Sequence, residues 1–305
     1  MATASEAVGQ RHRERFGHAT RKKLAPYGLL TPGGLWMLVF FVVSAVFMVY
    51  TSLESGGLLS GGYSLTWQWS NYTEGLSQHS TQYIRSIEYA AIATAIAVLL
   101  AYPMTYWIAF HAGKRKTFYL LLILLPFFVS FVIRTAQWKF ILGDNGLIFG
   151  PLKDLGLLPA NFRVLASPGA VIFGMMYNFL PFTALPLFVS LDRIDKTLVE
   201  AAKDLYASKS GAFRKVVLPL SLPGVFAGVL LTFVPMAGDY VNATVLGGPG
   251  TTMIGNIIQS KFLEEADYPS AAALSIVLMV GMLILTTIYA RILGTEDATA
   301  AAAKL

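Results

Sequence analysis

Cysteine is absent, so disulfides, thiolate metal sites and cysteine nucleophiles are excluded. Charge is scarce. Charged residues make up 13% of the 305, against roughly 25% in a soluble domain. That scarcity excludes an ordinary soluble enzyme, and a disordered chain would need the opposite balance. The only histidines, His12, His18, His79 and His111, lack metal-ligand spacing, so no metal is expected. No G-x-x-x-x-G-K-S/T phosphate loop occurs, so the chain is not expected to bind or hydrolyse ATP. No internal repeat and no convergent catalytic set is visible. Segments alternating with period two are also missing, which argues against a transmembrane β-barrel.

Apolar sequence is what remains. Hydrophobic residues reach 55%, and mean hydropathy is +0.59. A bilayer-spanning helix needs about 20 mostly apolar residues. Six runs qualify: 35–53, 87–110, 118–133, 170–191, 220–238 and 271–292. The chain is therefore expected to be an all-α membrane protein with six transmembrane helices. The first run, of about 19 residues, exceeds the roughly 7–15 of a signal peptide and reads as an uncleaved span. Pro103, Pro126, Pro181, Pro186, Pro223 and Pro235 fall inside the runs. Each removes a helix hydrogen bond and favours a bend, as in a bundle around a pathway.

The position of the charge matters more than its sum of +6. If the N-terminus lies inside, the inner segments hold seventeen of the 23 Lys and Arg, and the outer segments five. With the acids included, the inner face carries +9 and the outer face −3. That bias places both termini in the cytoplasm. Residues 1–34 form a basic cytoplasmic tail, suited to lie near anionic lipid. Residues 35–293 form the membrane domain, and 294–305 a short cytoplasmic tail. Trp67 and Trp69, in a Gly- and Ser-rich outer loop, suit an interface belt.

One inner segment, 192–219, differs from the rest. It contains LDRIDKTLVEAAKDLYASKSGAFRKVVLPLSLPG, starting at Leu191. Thr197 and Glu200 fit a capping box, predicting a helix over 198–207. Ala201, Ala202 and Leu205 fall on one stripe, and Glu200 and Asp204 on another. A second helix is expected to begin near Ala212 and to stop at Pro219.

EAAKDLYASKSGAFRKVVLPLSLPG resembles the EAA motif of the membrane subunits of ABC importers. Glu200, Ala201, Ala202, Leu218 and Pro219 match that pattern. The motif's glycine is replaced by Tyr206. A non-glycine residue held in the left-handed region costs roughly 1–2 kcal/mol, so the turn either pays that cost or adjusts toward Gly211. PFFVSFVIRTAQWKFILGDNGLI, YNFLPFTALPLFVSLDRIDKTLVEAAKDL and LGGPGTTMIGNIIQSKFL are similar to the spermidine/putrescine branch of these permeases, on the side of its first membrane subunit.

The resemblance implies a type I ABC importer permease in a bacterial inner membrane. The chain would form half of a translocation path for polyamines such as spermidine and putrescine; the alternatives are an ABC permease for another small solute (iron, sulfate, sugar or amino-acid-like) and a secondary transporter. Its implied partners are a second homologous permease subunit, two ATPase subunits carrying ATP and magnesium, an extracytoplasmic solute-binding protein and membrane lipid. Nothing points to nucleic acid. Glu200, Ala201, Ala202, Asp204, Leu205, Tyr206, Ala207, Leu218 and Pro219 would couple the chain to an ATPase subunit. For the path, ionisable residues at membrane depth are costly and usually face a cavity or partner. Glu88 and Asp239 supply carboxylates, while Trp138, Tyr177, Asn178 and Tyr240 supply aromatic or hydrogen-bonding surface. Arg134 reads as structural, because a cation is unhelpful beside a cationic solute. Asn71-Tyr-Thr73 and Asn242-Ala-Thr244 fit the glycosylation pattern, which is too short to carry weight.

Overall fold

A computed structural model describes residues 30–57 and 61–302. Most of the basic N-terminal tail, including Arg11 to Lys23, lies outside the described residues. Among the described residues, helices joined by short turns and loops make up most of the chain, and the strands form one hairpin. Helix α1 runs over Leu30–Ser52, so the last residues of the predicted tail already belong to the first span. Strands β1 (Glu54–Gly57) and β2 (Gly62–Leu65) pair antiparallel, with Glu54 opposite Leu65. Helix α2 covers Ser70–His111 and changes direction at His79, where φ is −115°. It starts 17 residues before the predicted run.

Helix α3 (Gly113–Phe128) and helix α4 (Phe131–Ile141) meet at 90°. The sequence predicts one continuous span here, bent at Pro126 and ending at Ile133. The structure breaks it. Pro126 tightens the end of α3 into 3-10 geometry, and Val129 and Ser130 turn extended before α4 begins. The described residues thus hold five long apolar helices, or six spans if the bent pair counts as one. The other five prolines lie within continuous helices, so in this protein proline alone does not break a span.

Helix α5 (Phe149–Asp154) is short, and α6 (Pro168–Asp192) is the fourth span. Helix α7 covers Lys196–Asp204. Helix α8 runs over Lys209–Ala237, through a π-helical stretch at Phe213–Val217. The wider π turn makes room for the ring of Pro219, which therefore continues the helix it was expected to end. Short helices α9 (Val241–Leu246) and α10 (Ile254–Leu263) lead into α11 (Tyr268–Ala302).

The core is the mutual packing of α2, α6 and α8. Ala90, Ala93, Ala97 and Ala101 make a fully buried small-residue stripe along α2. Lipid tails solvate apolar side chains as well as a neighbouring helix does, so close backbone approach is what drives such packing. Gly224 shows how close: a Cβ there would lie 2.4 Å from Ser190 Cβ and 2.9 Å from the Pro186 carbonyl oxygen. Only glycine lets α8 reach α6 at this depth. In contrast, α1 stands outside this core, its apolar window entirely exposed.

Candidate functional site

The two ends of the bundle carry different chemistry. At the first end, α7 bridges α6 and α8. Its predicted cap is corrected: Asp195, not Thr197, accepts the Thr197 backbone N–H at 2.9 Å. That donor and the Thr197 hydroxyl hold the Asp195 carboxyl below the ordinary carboxylate range. The helix consequently starts at Lys196, a turn-fraction earlier than expected. Ser208 caps α8 by accepting from Gly211 N–H at 3.1 Å, so α8 begins at Lys209 and not near Ala212.

Tyr206 takes φ +60°, the left-handed value of the missing glycine. The Tyr206 amide donates to Lys203 O at 2.9 Å, and the Ala207 amide to Ala202 O at 3.0 Å. These two bonds make a Schellman cap that satisfies the last carbonyls of α7. The turn has kept its geometry, and Tyr206 carries the backbone cost. Its ring is 99% exposed and Leu205 is 81% exposed. Glu200, Ala201 and Asp204 are exposed as well, and Ala202 and Ala207 are half-buried. Leu218 and Pro219 lie at the surface of α8.

The opposite side of α7 anchors it. Val199 and Phe213 pack against the cluster built from Ala101, Leu187, Leu191 and Val217. Phe213 sits edge-on to Tyr102 and Tyr106, with centroids 5.7 and 5.6 Å away. Lys116 pairs with Asp192, joining α3 to α6 at this end. The α7–α8 segment thus forms a rigid ledge with one buried and one open face.

At the other end the polar groups turn inward. Asn178 on α6 donates to Thr135 Oγ1 at 2.9 Å and to Asn242 Oδ1 at 3.1 Å. Asn242 Nδ2 in turn donates to Asp239. Asp239 also accepts the Val241 amide at 2.8 Å and the Asn242 amide at 3.2 Å, capping α9. All four side chains are buried, and together they tie α4, α6 and α9. Sequence reasoning singled out Asn178 and Asp239 but missed Thr135 and Asn242. The available signal for Asn242 was a lone amide in an otherwise apolar stretch.

The remaining path candidates are dispersed around this cluster. Trp138 is half-buried and edge-on to Tyr177, with centroids 5.0 Å apart. Tyr240 is 44% exposed, and Asn256 Nδ2 donates to its carbonyl at 3.0 Å. Glu88 is exposed on α2. Arg85, one turn earlier, donates instead to Thr252 O at 2.9 Å, so the two form no ion pair. Arg134 is buried over the Phe127 ring, 5.5 Å from its centroid. No cluster of metal-ligating side chains occurs among the described residues.

A kinked helical bundle with a strained, outward ledge at one end and inward polar ties at the other is the build of a membrane transport subunit. Residues 115–293 match the family described as binding-protein-dependent transport system inner membrane component. The chain belongs to that family, as a permease subunit of an ABC importer. It is 35% identical over 258 residues to the spermidine/putrescine transport system permease protein PotB of Haemophilus influenzae, covering 84% of this chain and 90% of that one. It is 33% identical over 260 residues to PotB of Escherichia coli, covering 84% and 93%. It is 31% identical over 229 residues to the inner membrane ABC transporter permease protein YdcU of Escherichia coli, covering 70% and 72%.

Among solved structures, a chain of a bacterial ABC transporter involved in import of the acidic polysaccharide alginate superposes with TM-score 0.68 at 18% identity, covering 91% of this chain and 98% of that one. A chain of the MetNI methionine ABC transporter superposes with TM-score 0.51 at 17% identity, covering 72% and 94%. These likenesses establish the fold.

Proposed function

We propose that this permease imports polyamines such as spermidine and putrescine, with both termini and the α7 ledge on the cytoplasmic side. The reading rests on one observation above all: the α7 turn keeps the backbone of the EAA motif, capped and exposed, at the end of the bundle richest in Lys and Arg. Two polyamine permeases at 33% and 35% identity over most of the chain supply the solute class. ATP hydrolysis belongs to a separate subunit, which docks on the α7 ledge through Glu200, Ala201, Ala202, Asp204, Leu205, Tyr206 and Ala207. Leu218 and Pro219 carry its movement into α8. A second permease subunit completes the path, and a solute-binding protein delivers cargo to the opposite face.

Within the path, Glu88 and Tyr240 are the exposed groups suited to ammonium centres, with Trp138 and Tyr177 adding aromatic faces. Asn178 and Asp239 act on the path indirectly, by fixing the elements that line it. The test is uptake into liposomes holding the complete transporter and its binding protein. ATP-dependent accumulation of labelled spermidine, blocked by excess putrescine and untouched by sulfate or sugars, is the expected result. Accumulation of an anion or sugar without spermidine uptake would overturn the solute assignment while leaving the permease class intact.

A further inference from the structure

The strained turn at the end of α7 has a side chain that its geometry does not require. Glycine would adopt φ +60° at no steric cost. Tyrosine adopts it at about 1–2 kcal/mol, a cost the Schellman bonds of the turn hold in place. The ring gains nothing inside the chain. It is 99% exposed, its side chain makes no ring contact and no hydrogen bond among the described residues, and it stands next to the 81% exposed Leu205. Two large apolar groups at the tip of a rigid ledge are the composition of an interface anchor, where aromatic side chains carry much of the binding energy.

The charges around the tip describe what covers it. Lys203, Lys209, Arg214 and Lys215 are exposed and form no ion pair among the described residues. Glu200 and Asp204, one turn apart on the same short helix, are exposed too. An anionic bilayer would attract the cations but repel these two carboxylates. A shaped protein surface accommodates both signs.

We propose that Tyr206 is the specificity anchor of this ledge, inserting into an apolar pocket rimmed by charges of both signs on the transporter's own ATPase subunit. This rests on the coupling role proposed above and goes beyond it. Where the EAA pattern has glycine, the pocket has no ring to receive. Tyr206 therefore selects the cognate ATPase, and the αL backbone aims the ring.

The experiment uses the complete membrane complex in lipid nanodiscs and follows release and rebinding of the ATPase subunit. Tyr206→Gly is expected to fold at least as stably as wild type, yet bind the ATPase subunit at least ~10-fold more weakly, the scale of an aromatic anchor. Tyr206→Phe keeps most of the affinity. Ala201→Glu, which crowds the neighbouring small-residue stripe, abolishes binding. Wild-type affinity in Tyr206→Gly together with lost binding in Ala201→Glu overturns the anchor and leaves the coupling role standing. Wild-type affinity in both overturns the coupling role as well. Hydroxyl-radical footprinting separates protein from lipid. Protection of Tyr206 that appears only with the ATPase subunit supports the pocket, whereas protection already present in lipid alone overturns it in favour of a membrane contact.

Discussion

The two ends of the bundle handle polar groups in opposite ways. At the α7 end, charges and a strained aromatic point outward, and the helix is secured by apolar contacts on its inner side. At the other end, Thr135, Asn178, Asn242 and Asp239 are buried and hydrogen-bond to one another and to nearby backbone. The first arrangement leaves a surface available to a partner. The second removes surface and fixes the relation of three elements. Under the proposed coupling role, the first is the handle that an ATPase subunit grips, and the second is the joint that keeps the path walls together.

The largest expected effect breaks the joint. Asn242→Leu keeps volume but takes one partner each from Asn178 Nδ2 and the Asp239 carboxylate. Buried groups left short cost about 1–3 kcal/mol each, so thermal unfolding in nanodiscs should show a loss of about 3 kcal/mol. Wild-type stability would mean that the cluster does not hold the three elements. Next comes the packing that both ends share. Gly224→Ala forces α8 away from Pro186 and Ser190, with a loss of about 1–3 kcal/mol typical of overpacking. A matched melting curve would show that α6 and α8 have slack.

A smaller effect acts on the handle alone. The Asp195 carboxyl sits below its ordinary value, so its contribution is present above the unfolded value and fades as pH falls through the folded one. Protection factors of the amides in the first turn of α7, corrected for the intrinsic exchange rate, should fall on acidification while the α6 core stays protected. Asp195→Ala should remove that pH dependence; an unaltered profile would assign it to another group. The smallest structural effect is expected at Glu88, which is exposed and unpaired. Glu88→Gln should change stability by less than about 0.5 kcal/mol while slowing spermidine uptake. Uptake with unchanged rate and affinity would take Glu88 out of the path.

Legibility in the sequence followed length scale. Five spans stand out as apolar runs and the helices cover them to within one residue, although α2 extends 17 residues further and α8 starts 11 residues earlier. The polar extension of α2 has no hydropathy signal, since its helix is held by neighbours such as Leu274, whose carbonyl accepts from Tyr83. The break between α3 and α4 was hidden because Pro126 looks like the five prolines that leave their helices continuous. The choice of Asp195 over Thr197 as cap turned on a two-residue shift, the scale at which helix ends are hardest to read.

The sequence by itself determined the membrane class, the charge asymmetry and the α7 motif, because these depend on composition and on spacing within one segment. It also posed the question at Tyr206 without answering it. The tertiary structure decided that Tyr206 stays left-handed, that Asp239 and Asn178 turn inward to Asn242 and Thr135, and that Glu88 stays free of Arg85. Those outcomes depend on which distant segments arrive beside a residue. A buried hydrogen bond or a close helix approach fixes that relation only once the chain has packed.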